Sequence, residues 1–157
     1  MKRIGIFFLF ALIILSACKK NGAPAPNSNS QLVLGYALDY QPFTSHMYLI
    51  TNDGLYVDST ASSVTSFSFT SAIPNSAKYQ LALPLLNNIP SYLANGAGGY
   101  INDSASPVGI GALHLEYTRN GHTVKWNIPP DTTYWQANIP TDVRDYVQQI
   151  NTTFSQL

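Results

Sequence analysis

The sequence has little charge and almost no cysteine. Of its 157 residues 10% are charged, the formal net charge is zero, and there is one cysteine. A polybasic nucleic-acid-binding protein is excluded, because neutralising phosphates requires clustered lysine and arginine. A disulfide-stapled scaffold is excluded as well, since one chain needs two cysteines for a bridge. Aromatic residues make up 12%, which argues against a disordered chain and favours one globular domain.

The N-terminal segment has the pattern of an export signal. Lys2 and Arg3 form a positively charged start, and an apolar run follows over residues 4–15. This run is too short to span a bilayer, but its length suits the hydrophobic part of a secretory signal. The segment closes on the sequence Leu-Ser-Ala-Cys at residues 15–18.

The sequence at 15–18 resembles the lipobox of bacterial lipoproteins. The resemblance implies that the thiol of Cys18 is diacylated, that residues 1–17 are removed as a signal peptide, and that Cys18 becomes an acylated N-terminus. Several acyl chains together give stable membrane anchoring. The alternative is a buried structural cysteine after an ordinary signal peptide. We expect a lipid anchor at Cys18, and neither a catalytic thiol nor a metal ligand.

The next segment predicts a tether and a location. Residues 19–31 contain no large apolar residue, so we expect 18–31 to form a flexible tether before a single domain at 32–157. Lys19 follows the cysteine where an aspartate would resemble an inner-membrane retention signal, so we expect the outer membrane. The acidic run that resembles a surface-export signal is absent too, so periplasm-facing and surface-facing orientations both stay open.

Alternating apolar residues predict strands in the first part of the domain. Residues 32–39 alternate with a period of two, and residues 48–59 hold two apolar runs joined by Asn-Asp-Gly at 52–54. Either Asp53 and Gly54 form a two-residue turn, or all three residues form a type I turn with a glycine bulge. The two registers face opposite residues inward, so both stay open.

A second hairpin is predicted over residues 111–129, where Asn-Gly at 120–121 joins two alternating runs. A two-residue turn pairs Arg119 with His122, Tyr117 with Val124, Leu115 with Trp126 and Leu113 with Ile128. The opposite face carries His114, Glu116, Thr118, Thr123, Lys125 and Asn127. We expect an apolar core face and a solvated face on which Glu116 and Lys125 form a cross-strand ion pair.

The remaining segments complete an α+β domain. A strand is predicted over 64–69 and a loop over 94–107, while a middle helix begins after an Asn75 N-cap and contains Pro84 in its pattern. A C-terminal amphipathic helix begins near Thr141. We expect an antiparallel sheet of about five to six strands, built from hairpins and packed against these two helices.

Chemically active residues are few. The histidines are His46, His114 and His122. His114 and Glu116, two residues apart on one strand face, could form an acid–base or metal pair. The alternative is a solvated face with Glu116 held by Lys125. No third ligand is in sight, so we expect no metal site and no catalytic residue.

An enzyme would need a cleft that joins His114 or His46 to a carboxylate such as Asp39 or Glu116. The glycine-rich run at 96–99 lacks the spacing and the following Lys-Ser/Thr of a phosphate-binding loop, so it predicts a flexible loop and no nucleotide cofactor. No cofactor of any kind is expected.

Aromatic residues are the candidate binding surface. Tyr134 and Trp135 lie in a proline-rich segment at 129–140, and an exposed pair there suits a sugar- or peptide-binding surface. The alternative is that Trp135 packs beneath the final helix.

Three tripeptides begin with Asp followed by Ser or Thr and a small or apolar residue, at 58–60, 103–105 and 131–133. They resemble the O-glycosylation acceptor motif of Bacteroidota envelope proteins. The resemblance implies glycans on Ser59, Ser104 and Thr132 that would solubilise a weakly charged surface.

The whole layout is similar to small uncharacterised lipoproteins of Bacteroidota, mainly over residues 46–59 and 111–154. That resemblance implies no activity. We expect a non-enzymatic envelope lipoprotein that binds a protein or glycan partner and no nucleic acid. The alternatives are a glycan-acting hydrolase and a protein inhibitor that uses the segment at 129–140.

Overall fold

A computed structural model describes residues 29–37, 46–58, 67–101, 112–129 and 132–157. The elements in chain order are β1 (Gln31–Ala37), β2 (Tyr48–Thr51), β3 (Leu55–Val57), β4 (Ser71–Ala72), α1 (Ser76–Asn87), α2 (Ser91–Asn95), β5 (Gly99–Tyr100), β6 (Ala112–Arg119), β7 (His122–Ile128), a 3₁₀ turn (Thr132–Tyr134) and α3 (Thr141–Phe154). The export signal, Cys18 and most of the expected tether lie outside the described residues.

The strands form one sheet in the order β4-β3-β2-β1-β6-β7-β5. The α+β prediction is confirmed, with seven strands instead of five to six. The sheet is not wholly antiparallel, because β5 pairs with β7 in parallel over two residues. β1 lies at the centre, since it pairs with β2 on one side and with β6 on the other.

The register predicted for the second hairpin is confirmed. β6 and β7 pair as Arg119 with His122, Tyr117 with Val124, Leu115 with Trp126 and Leu113 with Ile128. Asn120 and Gly121 have φ angles of 52° and 78°, the left-handed values that a two-residue turn of type I′ requires. The Asn-Gly pair therefore sets which side chains of both strands enter the core.

The first hairpin has neither of the two expected turns. Thr51 donates its amide to the carbonyl of Gly54 at 2.9 Å, so the loop residues are Asn52 and Asp53. The Thr51 hydroxyl accepts from the amides of Asp53 at 3.2 Å and of Gly54 at 3.1 Å. This side-chain turn closes the loop by itself, so no left-handed glycine is needed.

Two segment predictions were wrong. The strand predicted over 64–69 is absent at 67–69, and β4 begins later, at Ser71. Residues 64–66 lie outside the described residues. The predicted loop at 94–107 contains the end of α2 and all of β5. Elements this short carry too few residues for a periodic pattern, so neighbouring structure decides them.

Both long helices pack on one face of the sheet, as predicted. Asn75 caps α1 by accepting from the amides of Ala77 and Lys78, and Pro84 lies inside the helix without ending it. The buried hydrophobic core includes Leu32, Leu34, Ile50, Leu55, Ala82, Leu85, Leu86, Leu93, Ile101, Leu113, Leu115, Tyr117, Val124, Trp126, Ile128, Trp135, Ile139, Val143, Tyr146, Val147 and Ile150.

Buried donors fix the helices to the core. The hydroxyl of Tyr146 on α3 donates to the carbonyl of Leu85 at 2.6 Å, near the C-terminal end of α1. The indole of Trp126 on β7 donates to the carbonyl of Leu93 on α2 at 2.9 Å. Carbonyls in the last turn of a helix have no partner within the helix, so these contacts satisfy groups that burial would otherwise leave unpaired.

The opposite, second face of the sheet is less solvated than the sequence predicts. Val33, Met47 and His114 on that side are 7%, 6% and 9% exposed. The ring of Phe67 lies 5.5 Å from the His114 ring and covers it. The expectation of a fully solvated second face was therefore wrong at its centre, because alternation along a strand cannot show what packs on the outward side.

Candidate functional site

Four polar side chains form a connected row across β6 and β7 on the second face, here called the polar row: His114, Glu116, Lys125 and Asn127. Nε2 of His114 lies 2.9 Å from Oε1 of Glu116, and the Lys125 ammonium donates to the same oxygen at 2.7 Å. Nδ1 of His114 lies 3.3 Å from Oδ1 of Asn127. The predicted pairing of Glu116 with Lys125 is present, and His114 joins it.

The environment of Glu116 stabilises its charged form. The hydrogen bond from His114 is the largest cause and holds the pKa of the Glu116 carboxyl below its ordinary value, with Lys125 acting in the same direction. Partial burial opposes them by penalising the charge. The carboxylate is therefore ionised at neutral pH and fixes the positions of both partners.

The row can orient side chains better than it can perform acid–base chemistry. His114 is 9% exposed. Each of its ring nitrogens already faces an oxygen of Glu116 or Asn127. Within the described residues no group of three His, Cys, Asp or Glu side chains could hold a metal ion. His114 and Glu116 therefore act as supports for Lys125 and Asn127.

Lys125 and Asn127 also line an open groove along the outer edge of β7, here called the β7 groove. Its volume is about 500 Å³, within the range of small-ligand pockets. Its walls are Gly96, Ala97, Gly99, His122, Thr123, Val124, Lys125 and Asn127. His122, Thr123 and Lys125 are exposed, so the edge of β7 is open to solvent here.

Glycine allows the opposite wall to approach β7 closely. A Cβ on Gly96 would lie 2.7 Å from Cζ2 of Trp126, and one on Gly98 would lie 2.6 Å from the carbonyl oxygen of Lys125. Gly98 also has a φ of 76°, which disfavours any larger residue. The glycine-rich run thus has a packing reason, and it is the one sequence signal that could have located the groove.

The indole of Trp135 is part of the core and not of a binding surface. It is 5% exposed, and Nε1 donates to the carbonyl of Pro129 at 2.9 Å. The guanidinium of Arg144 on α3 lies 5.2 Å from the ring centroid, on its outer side. The structure agrees with the alternative interpretation, in which Trp135 packs beneath the final helix. The side chain of Tyr134 lies outside the described part of the molecule.

The other predicted residues are dispersed. His46 is exposed beside Tyr48, with ring centroids 6.4 Å apart. Thr132 is exposed at the start of the 3₁₀ turn. Cys18, Asp39, Ser59 and Ser104 fall outside the described residues. The structure therefore brings His114 and Glu116 together, and places the ring of His46 beside Tyr48.

No protein-family model, curated protein or solved structure matches this chain. Among the described residues, no helix has both the length and the apolar character needed to cross a membrane.

Proposed function

We propose that this protein is a lipoprotein of the bacterial cell envelope, anchored in the outer membrane through Cys18, whose α+β domain binds an envelope partner. The lipobox-like sequence at 15–18 supports the anchor. The β7 groove supports the binding role, and it is the observation that carries the proposal, because it is open and has the volume of a binding site.

The polar row behind the groove gives it a fixed chemical surface. Glu116 holds Lys125 through a 2.7 Å contact, and His114 contacts Asn127 at 3.3 Å. Side chains that are held before a ligand arrives lose less entropy on binding, so the same contacts give higher affinity. This arrangement favours a binding module with non-covalent chemistry.

A glycan-acting hydrolase is the second candidate, favoured by the 2.9 Å contact between His114 and Glu116. A general base must reach a substrate proton, and the burial of His114 works against that. If His114→Gln and Glu116→Gln abolish release of soluble fragments from cell-wall glycan by the purified protein, the hydrolase is the right function. A protein inhibitor using residues 129–140 has less support, since Trp135 is buried.

O-glycosylation at Ser59, Ser104 and Thr132 stays part of the proposal. Thr132 is the member of the set that the structure describes, and its exposure makes it accessible to a transferase. Intact-mass measurement of the native protein beside Thr132→Ala tests the site, since loss of one glycan mass is expected.

The anchor is tested by Cys18→Ser in the native host with a labelled fatty acid. We expect the wild-type protein to carry the label and to sediment with outer membranes. The variant should lose both properties, because the acylated thiol is absent. Label retained in Cys18→Ser would contradict the anchor.

Binding is tested by placing a photo-crosslinking amino acid at position 123, inside the β7 groove, in the membrane-anchored protein. Position 72 on β4, at the opposite edge of the same sheet, is the matched control. A discrete adduct from position 123 and none from position 72 is the expected result. Equal crosslinking at both positions, or none, would contradict a binding role for the groove.

A further inference from the structure

We propose that the β7 groove binds an extended acidic peptide segment of its partner, which adds to the outer edge of β7 as another strand. This inference rests on the proposed function, since it names the partner chemistry of the same groove. Strand addition at an open sheet edge is a recurring way to recognise peptides, because main-chain hydrogen bonds supply affinity.

The backbone of β7 points the required groups into the groove. Ile101 donates its amide to the carbonyl of Asn127 at 3.1 Å, so the main-chain groups of Asn127 face away from β6. Residues two apart on a strand direct these groups to the same side, so Thr123 and Lys125 also direct theirs outward. The backbone at Gly98 already covers the carbonyl of Lys125, since a Cβ on Gly98 would lie 2.6 Å from that oxygen. Within the described residues, β5 pairs only with Trp126 and Asn127. The edge around Thr123 is therefore available to an added strand.

The charge of the hairpin selects an acidic segment. β6 and β7 together contain Arg119 and Lys125 as permanent cations, and Glu116 as their one carboxylate. Among the described residues, no acidic side chain lines the groove. Within the ion pair the Lys125 side chain is 63% exposed and that of Glu116 only 17%, so the ammonium is the group that meets a segment in the groove. Complementary charge at an interface mainly raises specificity and the rate of association.

A second copy of this chain fits the edge less well. Two copies paired through their β7 edges would each bring Lys125 and no described carboxylate to the groove, so this pairing lacks the opposite charge that an acidic segment supplies. A glycan would use the polar side chains but not the outward main-chain groups of Thr123. An acidic peptide would use the polar side chains and the main-chain groups together, so it is the occupant that the groove favours.

The experiment measures direct binding of fluorescein-labelled peptides to the full-length protein in detergent by fluorescence anisotropy. The main probe is a hexapeptide of alternating Glu and Val, a composition that favours an extended strand. One control replaces each Glu with Lys. A second control keeps the sequence but carries N-methyl groups on alternate amides, which removes the main-chain donors from one edge. We expect the Glu–Val peptide to bind at least about tenfold more tightly than either control.

Two proline variants locate the edge. Thr123→Pro removes an outward amide and leaves the main-chain bonds between β7 and β6 in place, and proline is tolerated at such edge positions. It also removes the 2.7 Å contact between the Thr118 and Thr123 hydroxyls, so Thr123→Val, which removes that contact and keeps the amide, is measured beside it. Ala72→Pro is matched to it, because Ile73 donates inward to Leu55 at 2.9 Å and the Ala72 amide therefore faces outward on the opposite edge. We expect Thr123→Pro to weaken Glu–Val binding at least about tenfold and Ala72→Pro to leave it unchanged. The N-methylated peptide makes the same test on the wild-type protein if Thr123→Pro does not fold.

The outcomes separate this inference from the proposed function. N-methylated and unmodified Glu–Val peptides binding equally would overturn strand addition, and Lys–Val binding as tightly as Glu–Val would overturn the acidic preference. Concentration-dependent dimerisation that Thr123→Pro abolishes, without peptide binding, would replace the peptide with a second copy. A crosslinked adduct from position 123 in cells alongside any of these results would leave the binding function standing. Failure of both experiments would overturn both proposals.

Discussion

The two faces of the sheet hold their side chains in place by different means. On the helix face, buried residues of β6 and β7 meet partners that are distant in the sequence, as when Trp126 donates to Leu93. On the second face, the polar row is held by neighbours, since His114, Glu116, Lys125 and Asn127 all belong to one hairpin. Stability therefore resides mainly on the helix face, and the second face is free to present a site.

The largest effect is expected from a cavity on the helix face. Leu115→Ala removes a side chain that is fully buried, and such truncations cost about 3 kcal/mol of unfolding free energy. Urea unfolding followed by circular dichroism measures the loss. Thr118→Ala on the same strand, but on the second face, is the control and should stay within about 0.5 kcal/mol of wild type. Equal losses would remove the distinction between the faces.

The next effect concerns a single buried hydroxyl. Tyr146→Phe leaves the Leu85 carbonyl buried without its donor, which should cost about 2 kcal/mol. Burial raises the pKa of the Tyr146 hydroxyl above its ordinary value, so it remains a donor across the usual pH range. Tyr36→Phe is the matched variant, because its hydroxyl contacts Asn151 at an exposed site where water can replace it. A smaller loss of unfolding free energy for Tyr146→Phe than for Tyr36→Phe would contradict the conclusion that the buried Tyr146 hydroxyl stabilises the fold.

Glu116 gives the second face a pH dependence. Its pKa is lowered in the folded protein, so its contribution is present above the unfolded value near 4.5 and is lost as pH falls through the folded value. Glu116→Gln should therefore be less stable than wild type at pH 7, by about 1 kcal/mol, and the difference should shrink on acidification. Unfolding series at pH 7, 5 and 3 compare the two proteins. A difference that stays constant down to pH 3 would show that the carboxylate is not held by its partners.

The smallest effect belongs to Lys125, whose side chain is 63% exposed. Exposed ion pairs contribute little, so Lys125→Met should cost no more than about 0.5 kcal/mol, and less at high salt. Thermal melts of wild type and Lys125→Met at low and high ionic strength measure the loss of stability and its dependence on salt. A large, salt-independent loss would mean that Lys125 supports the fold and not the groove.

The sequence predicted the parts of the fold that rest on local rules. Asn-Gly at 120–121 fixes a turn by its backbone geometry, so the register of β6 with β7 followed from it. The spacing of apolar residues in α3 gave a helix starting at Thr141. The first hairpin is present as predicted. Its turn was missed because the Thr51 hydroxyl closes the loop, which made the glycine signal at Gly54 misleading.

Only part of the candidate site could be predicted from local sequence patterns. The pair of Glu116 with Lys125 follows from register alone. The burial of His114 depends on Phe67, whose position no local pattern gives. The groove depends on where the glycine-rich run meets β7, a contact between segments far apart in sequence. Pairings of that kind are set by the whole core.

The central position of β1 has a consequence for how the chain assembles. β6 and β7 are adjacent in sequence, and hairpins of that kind form in microseconds. β1 must instead wait for β6, since Leu34 pairs with Leu115 across most of the domain. Closing so long a loop costs entropy before any contact repays it, so folding should be limited by the meeting of these two strands. The middle of the sheet would then be made last, after the hairpins on either side of it.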